Sequence, residues 1–120
     1  MVEKYIGLKT VMAEPEERDG IKGYKVVYED GYESWCPASS FESAYHPTSG
    51  APFGVALEHV KRGGGMRLSK WASDIVIRAQ IPDEYSKMTA PYLYVESRNG
   101  RVPWVVTQIE LITNGWECVE

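Results

Sequence analysis

The stretch FGVALEHVKRGGG, residues 53–65, predicts the helix around which the second part of the chain is built. Its apolar residues recur at i, i+3, i+4 and i+7, namely Phe53, Ala56, Leu57 and Val60, which is the spacing of one apolar helix face. Pro52 suits the first helical turn, and the three glycines at 63–65 must end the helix. We therefore expect a short amphipathic helix that packs its apolar stripe against a sheet.

The residues after this helix have the pattern of antiparallel strands. Residues 66–71 form a short strand candidate, and residues 75–81 alternate as a half-buried strand does. Residues 91–96 and 102–106 flank Asn99-Gly100, which predicts a hairpin. Pro103 lacks a backbone donor, so its strand is expected at an edge or a bulge.

Thr107 and Glu110 have the spacing of a capping box, so a helix of about two turns should follow and end at Asn114-Gly115. The chain then closes with a strand over residues 116–119.

The front of the chain predicts a smaller unit. We expect a strand over residues 5–13, then a hairpin whose strands, 24–29 and 32–36, flank Asp30-Gly31 in a two-residue turn with positive φ at both positions. That register places Val26 opposite Trp35. Ser39 and Glu42 resemble a second capping box, which predicts a helix to about residue 45.

These patterns together predict an α+β fold, with an antiparallel β-sheet, short helices and a small N-terminal β-hairpin subregion. The turn-rich residues 46–52 separate the two parts. We expect an N-terminal extension over residues 1–46 and a second domain over residues 52–120.

Composition excludes several classes of protein. The chain has 120 residues and a formal net charge of −4, which argues against non-specific binding to DNA or RNA. No apolar run approaches the roughly 18 residues of a membrane helix, and no signal segment is recognisable. Cys36 and Cys118 form no CxxC pair, so we expect no metal site or redox motif, and no cofactor. A cytosolic protein would keep both as thiols; a single disulfide between them is the alternative.

Catalytic patterns have little support. His46 and His59 lie in no zinc-binding arrangement, and the glycines at 63–65 follow a helix, so they cannot form a P-loop. Those glycines are expected to be a helix stop; close approach of a ligand or partner is the alternative.

The aromatic content suggests a binding surface. Eight Tyr, four Trp and two Phe are more large rings than a thin sheet can cover. We expect Trp71 and Trp104 to be the exposed ones, since each lies near hydroxyl, amide or cationic groups that suit a nucleotide. Ordinary core packing is the alternative for either ring.

Several motifs resemble a known family. FGxALExxKxG at 53–63 is followed by Trp71, and KMTAPYLYV at 87–95 leads to VPWxxTQxEL at 102–111 and then Trp116. This order resembles the Thoeris anti-defence two family of phage proteins over about residues 52–119. YEDGYxSW at 28–35 and FExAY at 41–45 resemble a phage N-terminal extension often joined to it.

The resemblance implies a sponge rather than an enzyme. Members bind glycocyclic ADP-ribose, the signal of the bacterial Thoeris TIR protein, and hold it intact in pockets between protomers of a homotetramer. Some also capture cyclic dinucleotides of CBASS defence, which is our alternative ligand class. An enzyme that cleaves such nucleotides, and a phage structural module without a ligand, are the other two hypotheses.

This sequence departs from the family pattern at positions that concern the ligand. Leu68-Ser69-Lys70 stands where many members have Arg-Lys-Gly, and Glu110 and Gly115 stand where many have Asp and an acid. The expected ligand-binding residues are Phe53, Gly54, Arg67, Ser69, Lys70, Trp71, Ser73, Asp74, Arg78, Thr89, Trp104, Thr107 and Gln108. Trp71 or Phe53 would stack the base, and the cations would meet the pyrophosphate. The expected place of action is the cytoplasm of an infected bacterial host.

Overall fold

The computed structural model describes all 120 residues and divides them into two units, Met1–His46 and Pro47–Glu120. Both contain antiparallel strands with short helices, which confirms the predicted α+β class. None of the helices has the length and apolar character needed to cross a bilayer.

The first unit is a three-stranded antiparallel sheet with one helix. Its elements are β1 (Met12–Pro15), β2 (Gly23–Val27), β3 (Glu33–Pro37) and α1 (Ala38–Ala44), and the sheet order is β1-β2-β3. The strand predicted over residues 5–13 is wrong for most of its length, because pairing begins only at Met12, opposite Val27.

The hairpin between β2 and β3 exists, but its predicted register is wrong by one residue. Val26 pairs with Ser34, and Lys25 pairs with Trp35. The loop has three residues rather than two: the Gly31 amide donates to the Tyr28 carbonyl at 2.9 Å, and only Gly31 takes a positive φ, of 89°. A type I turn followed by a left-handed glycine adds one residue to the loop, and a one-residue slip moves a side chain to the other face.

Trp35 therefore lies on the face opposite Val26. A Cβ at Gly23 would collide with the Trp35 ring, so the absence of a side chain there makes room for the indole. The Trp35 Nε1 donates to the Glu16 carbonyl at 2.8 Å.

Helix α1 forms without the predicted capping box. Its N-cap is Pro37, with no side-chain cap, so Ser39 already lies inside the first turn. The Glu42 carboxylate instead accepts a hydrogen bond from the Tyr24 hydroxyl at 2.8 Å, which raises the pKa of Tyr24. Tyr24 also stacks on Phe41 at 4.3 Å, so the helix is held by aromatic packing rather than by its cap.

The second unit is a six-stranded antiparallel sheet with two helices. In chain order its elements are β4 (Ala51–Pro52), α2 (Phe53–Lys61), β5 (Gly65–Leu68), β6 (Val76–Gln80), β7 (Tyr92–Ser97), β8 (Gly100–Pro103), α3 (Gln108–Ile112) and β9 (Asn114–Val119). The sheet order is β4-β9-β5-β6-β7-β8, so β9, the last strand in chain order, lies between β4 and β5.

The glycine run ends α2 as predicted. Gly63 has a φ of 106°, its amide donates to the Val60 carbonyl, and the Gly64 amide donates to the His59 carbonyl at 3.1 Å. These two bonds make a Schellman cap. A Cβ at Gly64 would collide with the His59 ring, so this glycine is also required by packing.

The second hairpin and the second capping box are confirmed with small shifts. Ser97 pairs with Gly100, so the loop residues are Arg98 and Asn99 rather than Asn99-Gly100. Pro103 lies on β8, which is an edge strand as expected. Thr107 and Glu110 cap α3 reciprocally, but the helix has only five residues, shorter than the predicted two turns.

The core of this unit lies between α2 and one face of the sheet. Ala56 and Val60 of α2 are buried against Met66 of β5, Ile77 of β6 and Trp116 of β9, three strands that are neighbours in the sheet. Leu93, Val95 and Trp104 extend the same face toward β8 but are only partly buried. The helix thus covers the middle of the sheet and leaves its β7–β8 end less protected.

Candidate functional site

Three tryptophans form one cluster on the core face of the second unit. Trp116 is fully buried, and Trp71 meets it edge to face, with ring centroids 5.4 Å apart and an interplanar angle of 82°. Trp104 contacts Trp116 at 6.2 Å and Trp71 at 6.5 Å, again edge to face. Each such pair is worth about 0.5–1.5 kcal/mol beyond area burial. These contacts therefore fix the orientations of Trp71 and Trp104, the two rings for which the sequence suggested a role in binding.

The turns around the cluster keep these rings in place. The Trp71 amide donates to the Leu68 carbonyl at 2.9 Å, and the Trp104 amide donates to the Leu93 carbonyl at 3.0 Å. The Trp116 Nε1 donates to the Glu110 carbonyl at 3.1 Å. Because α3 is anchored by that indole bond, the cap of α3 and the tryptophan cluster support each other.

An open cleft lies beside Trp104, where β7 begins and β8 ends. Its volume is about 460 Å³, and it is lined by Met88, Thr89, Ala90, Pro91, Tyr92, Leu93, Pro103, Trp104 and Val105. The lining is mostly apolar, and Thr89 adds a hydroxyl-bearing side chain to it. A volume of this size falls in the range of small-molecule sites, roughly 300–1,000 Å³.

The opposite face of the same sheet carries charges in cross-strand pairs. Arg67 of β5 lies 3.4 Å from Glu117 of β9. Arg78 of β6 and Arg101 of β8 both bind Glu96 of β7, at 3.2 and 2.8 Å. Hydrogen bonds from Arg101 and then Arg78 hold the pKa of Glu96 below its ordinary value. These cations are thus already paired within the protomer.

Asp74 is engaged by the β7–β8 loop. Its carboxylate accepts from the Arg98 amide at 3.1 Å and lies 3.4 Å from the Arg98 guanidinium. The backbone bond from Arg98 holds the pKa of Asp74 below its usual range. Asp74 therefore ties the turn before β6 to the β7–β8 hairpin.

The family model for the Thoeris anti-defense 2-like domain matches residues 51–119, more than half of the chain. The chain belongs to the Thoeris anti-defense 2-like family. Comparison with curated proteins and with solved structures finds no significant match.

In this Thoeris anti-defense 2-like domain, the predicted site residues fall into separate groups. Trp71 and Trp104 meet in the tryptophan cluster, and Thr89 joins Trp104 in the cleft. Arg67 is close to Ser73, whose carbonyl accepts from its guanidinium at 3.2 Å. Arg67 and Arg78, however, lie on the charged face, away from the indoles.

The ring of Phe53 is packed into the core of the protomer. It is only 7% exposed and packs edge to face on Trp116, with centroids 5.3 Å apart. Its place on the apolar stripe of α2 explains this, since the stripe is turned into the core. Gly54, the next residue, is exposed with open space around its Cα.

The expectation that Trp71 and Trp104 are freely exposed is also only partly met. Both are half-buried, since their edges pack against Trp116 and the rest of the core. Ser69, Lys70 and Gln108 are exposed, and the Thr107 hydroxyl is occupied by the α3 cap, accepting from the Glu110 amide at 3.1 Å.

Sequence reasoning missed most of the cleft lining. Met88, Tyr92, Leu93 and Val105 lie in motifs that were recognised, but only Thr89 and Trp104 were selected from them. The available signal was the turn-rich run 81–91, which is long for a hairpin connection. Such long loops are often functional.

Proposed function

We propose that this chain binds glycocyclic ADP-ribose and sequesters it, so that the downstream effector of Thoeris defence is never activated. Membership of the Thoeris anti-defense 2-like family carries this proposal, because it sets the biological role at the level of Thoeris anti-defence. The cleft lined by Trp104 and Thr89 supports it, because its size and its aromatic, apolar lining suit the base of a nucleotide. The setting we propose is phage infection, with the protein acting in the cytoplasm of the bacterial host.

The exposed part of the Trp104 ring would stack the base. Stacking on an aromatic side chain is worth roughly 1–3 kcal/mol per base, and the edge contacts with Trp71 and Trp116 fix the ring before the ligand arrives. The Thr89 hydroxyl would then meet a ribose hydroxyl. A preformed plate of this kind lowers the entropic cost of binding.

The pyrophosphate needs cations that do not lie in the cleft of one protomer. Arg67 and Arg78 are on the charged face and are paired with Glu117 and Glu96. Lys87 is exposed and adjacent to Met88, which lines the cleft. We propose that Lys87 and cations of a second copy meet the phosphates.

A second copy would also close the cleft. Drug-sized ligands are typically buried over 70–90% of their surface, whereas this cleft is open to solvent on one side. Exposed apolar side chains of the second unit would be buried on self-association: Val105, Ile109 and Ile112 are 84%, 80% and 78% exposed. Symmetric assembly, as a homotetramer, would give identical shared pockets.

A sequestered ligand is not altered by the protein, so it must be recovered unchanged when the protein is denatured. This recovery is the direct test. The purified protein is incubated with a mixture of bacterial immune nucleotides, washed and denatured, and the released compounds are identified by chromatography and mass spectrometry. Recovery of unchanged glycocyclic ADP-ribose supports the proposal. Recovery of a cleaved product would show an enzyme, and recovery of no nucleotide would favour a module without a small ligand.

Cyclic dinucleotides are the second candidate class, and a separate feature favours them. A depression of about 90 Å³ on the charged face, enough for part of one base and not for a whole dinucleotide, is lined by Gln80, Tyr92, Tyr94, Arg101, Val102 and Pro103. It combines two phenol rings with an amide and a guanidinium, groups that read and stack purine bases. Calorimetric titration with each ligand class, alone and in competition, distinguishes one shared site from two.

A further inference from the structure

The cleft of about 460 Å³ and the depression of about 90 Å³ have two lining residues in common. Tyr92 and Pro103 line both spaces. Thr89 and Trp104 line only the cleft, whereas Tyr94 lines only the depression. Tyr92 and Pro103 therefore lie at the boundary between the two spaces.

The strand register explains this boundary. Tyr92 pairs with Gln80 of β6, and Pro103 pairs with Tyr94 of β7. Side chains of a strand alternate between faces, so Tyr92 and Tyr94 share the charged face, while Leu93 between them belongs to the core face. The cleft is lined by Leu93 as well as Tyr92. It therefore extends around the end of the β7–β8 pair and reaches the depression there.

Of the two boundary residues, Tyr92 has the side chain that can move. The ring of Pro103 is part of its backbone and fixes φ. The Tyr92 side chain is half-buried and takes part in no hydrogen bond, ion pair or aromatic pair within the protomer. A change between staggered rotamers therefore breaks no polar contact of this ring.

The depression must widen before a base can enter it. Its volume of about 90 Å³ is well below the roughly 300–1,000 Å³ of small-molecule sites. The backbone around it is fixed by pairing of β6, β7 and β8, and Arg101 is bound to Glu96 at 2.8 Å. Widening therefore requires a side chain such as Tyr92 to move. Because the same residue bounds the cleft, its displacement away from the depression narrows the cleft.

We propose that Tyr92 couples the two sites negatively, so that a cyclic dinucleotide in the depression weakens the binding of glycocyclic ADP-ribose in the cleft. This coupling rests on the proposed function for both ligand classes. Linkage requires the reverse effect to have the same size, and coupling between two sites is typically about 5- to 150-fold. We expect a factor of about 5 or more.

Titration calorimetry on the full chain tests the coupling. Glycocyclic ADP-ribose is titrated at a series of fixed concentrations of a purine cyclic dinucleotide, cyclic di-GMP or cyclic di-AMP. Its apparent Kd should rise and then reach a plateau, about 5-fold or more above the starting value, once the dinucleotide saturates its own site. The reverse titration should give the same factor.

Three variants assign the effect to the Tyr92 ring. Tyr92→Ala removes the movable boundary, so the coupling factor should fall to about 1, whereas Tyr92→Phe keeps the ring and should keep the factor. Tyr94→Ala is the matched control, because Tyr94 lines the depression and not the cleft. It should weaken dinucleotide binding but retain the factor at saturation. Circular dichroism melting of each variant checks that the fold is intact.

The outcomes that refute the coupling differ from those that refute the proposed function. If both ligands bind and the factor is 1, or if the dinucleotide tightens binding, the coupling is wrong and the proposed function stands. A rise in apparent Kd without a plateau would show one shared site. Retention of the factor in Tyr92→Ala, with its loss in Tyr94→Ala, would exclude Tyr92 as the coupling residue. Failure of one ligand to bind would refute that ligand's assignment and the coupling with it.

Discussion

Replacing Trp104 with alanine separates its role in binding from its role in packing. The ring makes two edge-to-face contacts, with Trp71 and Trp116. At about 0.5–1.5 kcal/mol for each pair, Trp104→Ala should lower the free energy of unfolding by about 1–3 kcal/mol before area terms. A small domain has only about 5–15 kcal/mol of total stability, so the variant is expected to fold but to melt earlier.

The effect on binding is expected to be separate and of similar size. Loss of one stacked base costs roughly 1–3 kcal/mol, which is about a 5- to 150-fold increase in Kd for glycocyclic ADP-ribose. Isothermal titration calorimetry at a temperature well below the melting point of the variant measures this change. Circular dichroism and size-exclusion chromatography on the same sample check that fold and assembly are retained.

Tyr85→Ala is the matched control. Tyr85 is an aromatic residue of the same 81–91 run, 87% exposed, and it does not line the cleft. Its removal should change neither stability nor affinity. If Trp104→Ala remains folded and binds with unchanged affinity, the stacking role is refuted. Trp71→Ala is expected to weaken binding less, because the cleft lining includes Trp104 and not Trp71.

Three further predictions concern stability. Trp116→Phe removes the indole donor to the Glu110 carbonyl and part of the buried ring, so denaturant unfolding should show a loss of about 1–3 kcal/mol, whereas Tyr85→Ala at an exposed site should show almost none. Thr107→Ala removes the α3 cap and should cost about 1 kcal/mol in the same assay; Thr107→Ser, which keeps the hydroxyl, should restore most of it. Because the pKa of Glu96 is lowered in the folded state, its carboxylate stabilises the fold above the unfolded pKa, and this stabilisation is lost as pH falls through the lower folded value. Glu96→Gln should therefore flatten the decline of melting temperature as the pH falls below the ordinary glutamate pKa of 4.5, and an unchanged decline would contradict that assignment.

The sequence determined the features that depend on residues near one another in the chain. The apolar stripe and glycine stop of α2, the Thr107–Glu110 cap and the edge position of Pro103 all follow from local spacing, and the structure contains each of them. The α+β class follows from the same patterns. The family resemblance rests on the order of short motifs, so it could also be recognised from the sequence alone.

Local patterns were wrong where two signals competed. Asp30-Gly31 suits a two-residue turn. The same two residues are also compatible with a type I turn that is followed by Gly31 in the left-handed region, and this longer loop shifts the register. Ser39 and Glu42 have capping-box spacing, yet the Glu42 carboxylate of α1 accepts a hydrogen bond from Tyr24 of β2. In both cases a contact or turn geometry outside the motif decided the outcome.

Only the tertiary structure decided which predicted residues share a site. Strand alternation put Arg67 and Arg78 on one face and the Trp71–Trp104 pair on the other, and packing on Trp116 turned Phe53 inward. Residues far apart in sequence meet because the long-range pairing of β9 between β4 and β5 brings Trp116 onto the core face against α2. The free energy of burying the whole apolar face determines that pairing. Many residues contribute to this free energy, so no short sequence motif predicts it.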